Sequence, residues 1–310
     1  MVKDNEIKAQ VSPFAIREGE IKTFDGKDGY VSMNQIVHKI NIGHITDIHF
    51  AILDLVNEFE FITSRQIYQM LEIKGIDPKS QDKLNNKLDA LVKSKILTRY
   101  YFTSDEGKGI YRIYCLEKMG KYLLTSKEVE CKWQPSDNTK PVPMIKKRLA
   151  GNQVLIAYLR KVKAFDSYTV KPAITAKTLG KVFKATGGSV KLTKNNKSIQ
   201  FLFEVVRREI DWKKKLVEKM NLYKDFYENF QPGDSGFAGL PQLILVCEDE
   251  KHMAECFKEI VTNKVEIPQI RLLFTTDLRQ NKETLDETLV EFKLVDGKYK
   301  MENVELKLLG

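Results

Sequence analysis

Three segments with helical periodicity, followed by two strand-like segments, are the feature that most constrains the fold of this chain. The first helical segment starts at Ile45, the second follows a capping Thr63, and the third follows a capping Ser80. Residues 97–116 are then rich in aromatic and β-branched side chains on either side of a polar turn, a pattern that predicts a hairpin. A short helix closes the unit. This order is typical of a winged helix-turn-helix, which we predict for residues 45–126.

Basic residues are concentrated in this unit. The chain of 310 residues has 51 Lys and Arg against 42 Asp and Glu, which gives a net charge of +9. Between Lys79 and Lys127, eleven Lys or Arg stand against five Asp or Glu, so six of the nine net charges fall in this part. A concentrated positive charge favours a polyanionic partner, and we therefore predict that the unit binds double-stranded DNA. The alternative is a winged-helix protein-interaction module whose lysines form a solvated face.

The third helix supplies most of the predicted contacts. Its face opposite Leu84, Leu88 and Leu91 is basic and contains the amide of Asn86, which could pair with an adenine edge in the major groove. The basic side chains would neutralise phosphates, and the turn of the hairpin would approach the DNA backbone. The predicted DNA-binding residues are Lys79, Lys83, Asn86, Lys87, Lys93, Arg99, Lys108 and Arg112.

A change in composition indicates where the chain divides. Residues 127–147 contain three prolines, a Ser-Asp-Asn cluster and many charges, and they interrupt all apolar periodicity. We predict a linker there and a second domain over residues 148–310. Residues 1–44 contain two short alternating runs separated by DGKDG, which predict an N-terminal arm or a hairpin.

The second half alternates between helical and strand-like segments. An amphipathic helix is predicted over residues 144–162, an edge strand with a proline over residues 167–174, and a strand buried on both faces over residues 198–206. A long helix follows, and then the strands LPQLILVC and IRLLFTT with a further helix between them. Strands that alternate with helices predict an α/β domain with a mixed sheet.

Four segments of the second half, together with the predicted winged helix, resemble the replication-relaxation family. The segments are FEVVRR, KMNLYKDF, LPQLILV and RLLFTT, and the resemblance covers roughly residues 45–280. It implies a DNA-binding accessory in the replication or conjugative transfer of plasmids and related elements of Gram-positive bacteria. It also implies a C-terminal domain similar to the PD-(D/E)xK nuclease fold. The expected fold class is therefore a two-domain α+β or α/β protein with an N-terminal winged helix-turn-helix and a C-terminal nuclease-like domain.

The residues that such a nuclease needs are largely missing. Cleavage requires two acidic oxygens for a divalent ion and a lysine that polarises the attacking water. The Pro-Asp of the resemblance corresponds here to Pro172-Ala173, and Val206 fills the position of the lysine. Glu204 stands as the strand carboxylate, and Lys219 could supply a migrated cation. We therefore expect a nuclease-like scaffold that is not an enzyme.

Glu204 needs a partner if it is not catalytic. The preferred interpretation is an ion pair with Arg207, Arg208 or Lys219. Two alternatives stay open for the chain as a whole. One is a metal-dependent nuclease that uses Glu204 and another acid. The other is a protein-assembly module, for which Tyr223 and Tyr227 would be exposed.

Other chemical signals are weak. His38, His44 and His49 are spaced by six and five residues, which does not fit a zinc site, and no phosphate-binding loop is present. The four cysteines form no C-x-x-C pair, and we expect them to be reduced and structural.

No segment approaches the ~20 apolar residues of a membrane span, and no signal peptide is evident. We expect a cytoplasmic protein without cofactor, metal or membrane contact, whose candidate partners are double-stranded DNA, a second copy of the chain and other replication or transfer proteins.

Overall fold

The structure is a computed structural model that describes residues 11–104, 107–162, 165–194, 197–281 and 288–304. Within these ranges the strands form one sheet of four strands, one of seven and one of two. No helix of the described residues combines the length and the apolar character that crossing a bilayer requires.

The first half consists of helices packed on the four-stranded sheet. Its elements, in chain order, are β1 (Ile21–Phe24), α1 (Met33–Asn41), α2 (Asp47–Phe59), β2 (Ile62–Thr63), α3 (Ser64–Ile73), α4 (Gln81–Lys93), β3 (Leu97–Ser104), β4 (Gly107–Leu116) and α5 (Lys118–Ser126). The sheet order is β1-β3-β4-β2, and all of its pairs are antiparallel. The three predicted helices, the hairpin and the closing helix are confirmed as secondary structure.

Capping side chains determine where α3 and α4 begin. The Thr63 hydroxyl accepts a hydrogen bond from the Gln66 N–H at 3.2 Å, and the Gln66 amide oxygen accepts one from the Thr63 N–H at 3.2 Å. The Ser80 hydroxyl accepts one from the Lys83 N–H at 3.2 Å. Each bond satisfies an N–H group that has no partner within the helix. Both helices therefore begin where the sequence predicts.

The N-terminal segment is neither a free arm nor a hairpin. Strand β1 pairs with β3 instead of with a neighbouring strand, and the run GYVSMNQIV enters helix α1. Ser32 and Gln35 form a reciprocal capping box that starts this helix, and Ile36 is buried beneath it. The local cap thus outweighs the short alternating pattern from which a strand was predicted. Residues 1–10 lie outside the described part of the chain.

Residues 12–20 hold the two halves together, and we call them the N-terminal strap. The Ser12 hydroxyl donates to the carboxylate of Asp277, and the Tyr111 hydroxyl of β4 donates to the Pro13 carbonyl at 3.0 Å. Lys146 is buried and forms an ion pair with Glu20. The strap therefore bonds the base of the β3-β4 hairpin to the second half.

The second half is built around the seven-stranded sheet. Its elements are α6 (Val142–Lys161), β5 (Phe165–Thr169), β6 (Ala173–Ala176), β7 (Lys181–Lys184), β8 (Gly188–Lys194), β9 (Lys197–Val205), α7 (Trp212–Glu228), β10 (Gln242–Cys247), α8 (Glu250–Thr262), β11 (Leu273–Thr276), β12 (Val290–Val295) and β13 (Lys298–Asn303). The sheet order is β13-β12-β11-β10-β9-β8-β5. Strands β9, β10 and β11 are parallel, and the other pairs are antiparallel. The predicted mixed sheet is confirmed, and β13 and β5 are its edge strands. The edge strand with a proline predicted over residues 167–174 is divided, because β5 ends at Thr169 and residues 173–174 belong to β6 in the two-stranded sheet.

The central strands are buried on both faces. Phe201 and Phe203 of β9 face a core that includes α6, whereas Leu202 faces a core formed with α7 and α8. The alternation continues in β10, where Ile244 lies in the first core and Leu245 in the second. A strand covered on both faces has no polar side, which explains its continuous apolar sequence.

Helix α6 connects the two halves. It begins at Val142, inside the predicted linker of residues 127–147, and packs on α3 and β2 on one side and on β8 and β9 on the other. The Gln66 side chain donates to the Leu149 carbonyl at 2.7 Å, and Asn152 donates to the Phe61 carbonyl at 2.8 Å. The helix predicted over residues 144–162 is confirmed, but its amphipathic character is not, because α6 is buried on both sides. The two halves share one core, and their division into separate domains stays a prediction.

Gly151 permits the close approach of α6 to the sheet. A Cβ atom at this position would lie 2.7 Å from the Thr186 carbonyl oxygen and 2.8 Å from the Gly187 Cα. Both atoms belong to backbone that enters β8, so they cannot yield by a side-chain rotation. We expect Gly151→Ala to lower the free energy of unfolding by about 1–3 kcal/mol through overpacking, although alanine is otherwise the better helix residue.

The test is urea denaturation of the full chain. Gly239→Ala is the matched control, because an added methyl group there meets no atom within 4 Å. An increase in stability for Gly151→Ala would show that α6 can move away from the sheet and would contradict this packing.

Candidate nucleic-acid interface

The outer face of α4 is exposed to solvent, because the apolar face of the helix packs entirely into the core. Leu84, Leu88 and Leu91 are each at most 1% exposed. They pack against α2, α3 and β3. Lys83 and Asn86 lie on the other side of the helix and are exposed. The helix thus presents polar groups without leaving an apolar surface uncovered.

A groove of about 620 Å³ follows this outer face, and we call it the α4 groove. It lies between α4, the turn that precedes it and the start of α2. Four of the predicted DNA-binding residues line it: Lys79, Lys83, Asn86 and Lys87. Two histidines, His44 and His49, one carboxylate, Asp77, and several apolar side chains line it as well. Three lysines and one amide from a short stretch of sequence therefore converge on one concave surface.

Lys79 does not lie on the exposed face of α4, where it was predicted. It lies in the turn before the capping Ser80, with a φ of 68°, and its ammonium group is 2.8 Å from the Asp77 carboxylate. Both side chains are largely exposed. The hydrogen bond with Asp77 raises the pKa of Lys79. Lys79 thus contributes to the rim of the α4 groove and not to the helical face.

The two histidines near the groove have different roles. His49 is buried in the first turn of α2, where its Nδ1 accepts a hydrogen bond from the Thr46 N–H at 3.1 Å. Burial, and to a smaller extent the charge of Lys87, lower the pKa of His49 and keep its ring neutral. His44 also lines the groove but is exposed. The spacing of His44 to its neighbouring histidines excludes a zinc site, but it carries no signal for a position beside α4.

The predicted DNA-binding residues of the β3-β4 hairpin differ in exposure and in their ion pairs. Arg99 is only 16% exposed and pairs with Asp25, at 2.9 Å, and with Asp89. It therefore connects β3, α4 and the turn after β1, and its charge is neutralised inside the protein. Arg112 also pairs with Asp25, at 2.8 Å, but its side chain is 59% exposed. Lys108 is in strand β4 opposite Thr103, and its side chain lies outside the described residues.

Lys93 is the last of the predicted DNA-binding residues to be placed. It is exposed in the last turn of α4 and does not line the groove. Of the predicted residues, the structure therefore brings Lys79, Lys83, Asn86 and Lys87 together, leaves Lys93 and Arg112 on the surrounding surface and engages Arg99 internally.

Glu204 in the second half is buried, and its oxygens are already in use. It accepts hydrogen bonds from the Tyr223 hydroxyl at 2.7 Å and from the Thr186 hydroxyl at 2.9 Å. The Lys219 ammonium group lies 3.6 Å away. Of the three cations predicted as partners, Lys219 is the one that the structure places there. Burial, followed by the neighbouring Glu204 charge, raises the pKa of Tyr223 well above its ordinary value, so Tyr223 remains a donor.

The residue beside Glu204 is not the one that the motif comparison indicated. Thr186, just before β8, bonds to Glu204, whereas Ala173 is exposed in β6, which pairs with β7. The sequence carries no signal for Thr186, because only the antiparallel pairing of β8 with β9 brings it close to Glu204. A hydroxyl donor in this place holds a carboxylate but cannot replace an acidic metal ligand.

The other arginines and the tyrosines have internal roles. Arg207 is fully buried and forms two hydrogen bonds with Asp277, at 2.8 and 2.9 Å. Arg208 pairs with Asp249 at 2.7 Å. Tyr223 and Tyr227 are buried, so they do not form the exposed surface that an assembly module would need.

Comparison with known proteins gives one family and one distant structure. No curated protein matches the sequence. Among solved structures, the restriction endonuclease FokI aligns with 75% of this chain at 9% identity and a TM-score of 0.25, and the alignment covers 43% of that chain. This likeness carries no argument about fold or function. The family model described as replication-relaxation matches residues 53–240. Because this is more than half of the sequence, the chain belongs to the replication-relaxation family.

Proposed function

We propose that this protein binds double-stranded DNA through the α4 groove and acts as an accessory or regulator in plasmid replication or conjugative transfer. The observation that carries the proposal is the convergence of Lys79, Lys83, Asn86 and Lys87 on one open groove along an exposed helix. Membership of the replication-relaxation family supports the biological setting. A second copy of the chain and other replication or transfer proteins stay predicted partners.

In this proposal, residues 45–126 act as a winged helix-turn-helix. Helix α4 is the recognition helix, and the β3-β4 hairpin is the wing. Strand β2 supports this arrangement, since it lies between α2 and α3 in the chain and pairs with β4. The hairpin is thereby bonded to the helices that carry α4. A helix held in this way fits the major groove, which is about 12 Å wide in B-DNA.

The proposed contacts divide into two kinds. Lys83 and Lys87 are one helical turn apart, and together with Lys79 they would neutralise phosphates and fix the register of the protein. Asn86 lies between them on the exposed face and would read a base edge with its two-sided amide. Arg99 has no part in these contacts, because its charge is taken up by Asp25 and Asp89.

We further propose that the second half is a scaffold without catalytic activity. Glu204 is the carboxylate to which the nuclease alternative would assign a metal ion. Thr186, Tyr223 and Lys219 surround it, and no acidic residue is among its contacts within the described residues. A single carboxylate that is already hydrogen-bonded binds a hard divalent ion poorly.

Substitutions in the α4 groove should separate base reading from phosphate attraction. A site is first selected from random duplexes with the full-length protein. Asn86→Ala should then cost ~1–3 kcal/mol on that site and little on random duplex, because discrimination is lost. Lys87→Ala should weaken both complexes about equally and reduce the salt dependence of log K by about one unit of slope. Fluorescence anisotropy at several salt concentrations measures both effects.

Lys214→Ala on α7 is the control, since its side chain is 79% exposed and lies outside the groove. Its affinity and salt slope should equal those of the wild type. Equal losses for Asn86→Ala on specific and random duplexes would refute base reading by that residue. Unchanged binding in both groove variants would refute the groove as the interface.

The second half should show no cleavage of DNA. Wild-type protein with magnesium or manganese should leave supercoiled plasmid intact, and Glu204→Gln should bind DNA as tightly as the wild type. Agarose-gel separation of nicked from supercoiled plasmid is the measurement. Metal-dependent nicking by the wild type that disappears in Glu204→Gln would establish the nuclease alternative in place of the scaffold.

A further inference from the structure

Two cysteines and a histidine converge between β10 and α8. Cys247 is the last residue of β10, and His252 and Cys256 are one helical turn apart on α8, so both lie on the same helix face. Their potential ligand atoms, two sulfurs and one imidazole nitrogen, all lie within 4.8 Å of one another. All three side chains are 0% exposed. Neither DNA binding nor the environment of Glu204 uses this cluster.

We propose that Cys247, His252 and Cys256 bind one zinc ion that fastens α8 to the sheet. Thiolates and imidazole are the ligands that zinc prefers in proteins. Zn–S bonds of about 2.3 Å place two ligands of a tetrahedral ion roughly 3.8 Å apart, so the cluster needs to contract by at most about 1 Å. A buried water would take the fourth position, since the described residues offer three ligands here.

Charge balance favours a divalent ion. The two thiolates carry two negative charges and the imidazole is neutral, so they cancel the charge of Zn²⁺ and the filled site adds no net charge to the core. A monovalent ion would leave one negative charge without a counter-ion in the cluster. Zinc binds the thiolate form of cysteine, so binding would release the two thiol protons.

The histidine is available as a ligand. The His252 ring accepts a hydrogen bond at one of its nitrogens, which a doubly protonated imidazolium cannot do. Its Nδ1 accepts a weak hydrogen bond from the Glu248 N–H at 3.3 Å, and its Nε2 is buried without a partner among the described residues. A neutral imidazole has one free lone pair. Because Nδ1 accepts this hydrogen bond, the lone pair is on Nδ1 and the ring proton is on Nε2, and coordination through Nδ1 would replace one long hydrogen bond.

Metal analysis of the full-length protein tests the proposal. Protein purified without chelator should contain about one zinc per chain, and Cys256→Ser should contain none. Cys115→Ser is the matched control, because Cys115 is also buried but lies in β4, outside the cluster. It should keep the metal. Chelation should lower the melting temperature of the wild type and of Cys115→Ser, but leave that of Cys256→Ser unchanged.

A cobalt titration of the wild type provides a second readout that does not depend on the folding of a variant. Zinc is first removed from the wild type with a chelator. Cobalt bound to thiolates gives an ultraviolet charge-transfer absorption, which should then appear at one equivalent of cobalt and disappear when zinc is added back. A wild-type protein without zinc and without this absorption would overturn the proposal. The same zinc content in wild type and Cys256→Ser would also overturn it, because the ion would then be bound elsewhere.

Discussion

The structure depends on the burial of α6 between the two halves. A helix that is apolar on one side leaves its other side to solvent, but α6 is covered on both sides and therefore has no free face. Its backbone carbonyl at Leu149 and its Asn152 amide satisfy polar groups of the first half, and Gly151 lets it approach β8 closely. Consequently, the α4 groove and the seven-stranded sheet are held by one common element.

Local signals made most of the fold predictable. Thr63 and Ser80 predict where α3 and α4 begin, because a capping hydrogen bond joins residues only three positions apart and does not depend on the rest of the molecule. The leucine stripe of α4 likewise fixed its orientation, and with it the exposure of Lys83 and Asn86. The family resemblance, read from short segments of the second half, is confirmed by the family model.

Features that depend on long-range contacts were not predictable. Arg99 looks like any basic residue of a wing, and only the approach of Asp25 and Asp89 makes it an internal ion pair. His44 joins the α4 groove through the packing of α2 beside α4. Thr186 reaches Glu204 through strand pairing, and α6 loses its solvent face through a second layer that the helical pattern does not encode. In each case the missing information is the position of a distant segment.

The N-terminal strap has a consequence for biosynthesis. Ser12 bonds to Asp277, 265 positions later in the chain, and the buried ion pair of Asp277 with Arg207 lies beneath this contact. At about 5–20 residues per second, a ribosome takes roughly 15–50 s to make the intervening chain, so the strap emerges long before its binding site. During that interval the Ser12 hydroxyl lacks its Asp277 acceptor, and this end of the strap reaches its final place only after the second half has been made.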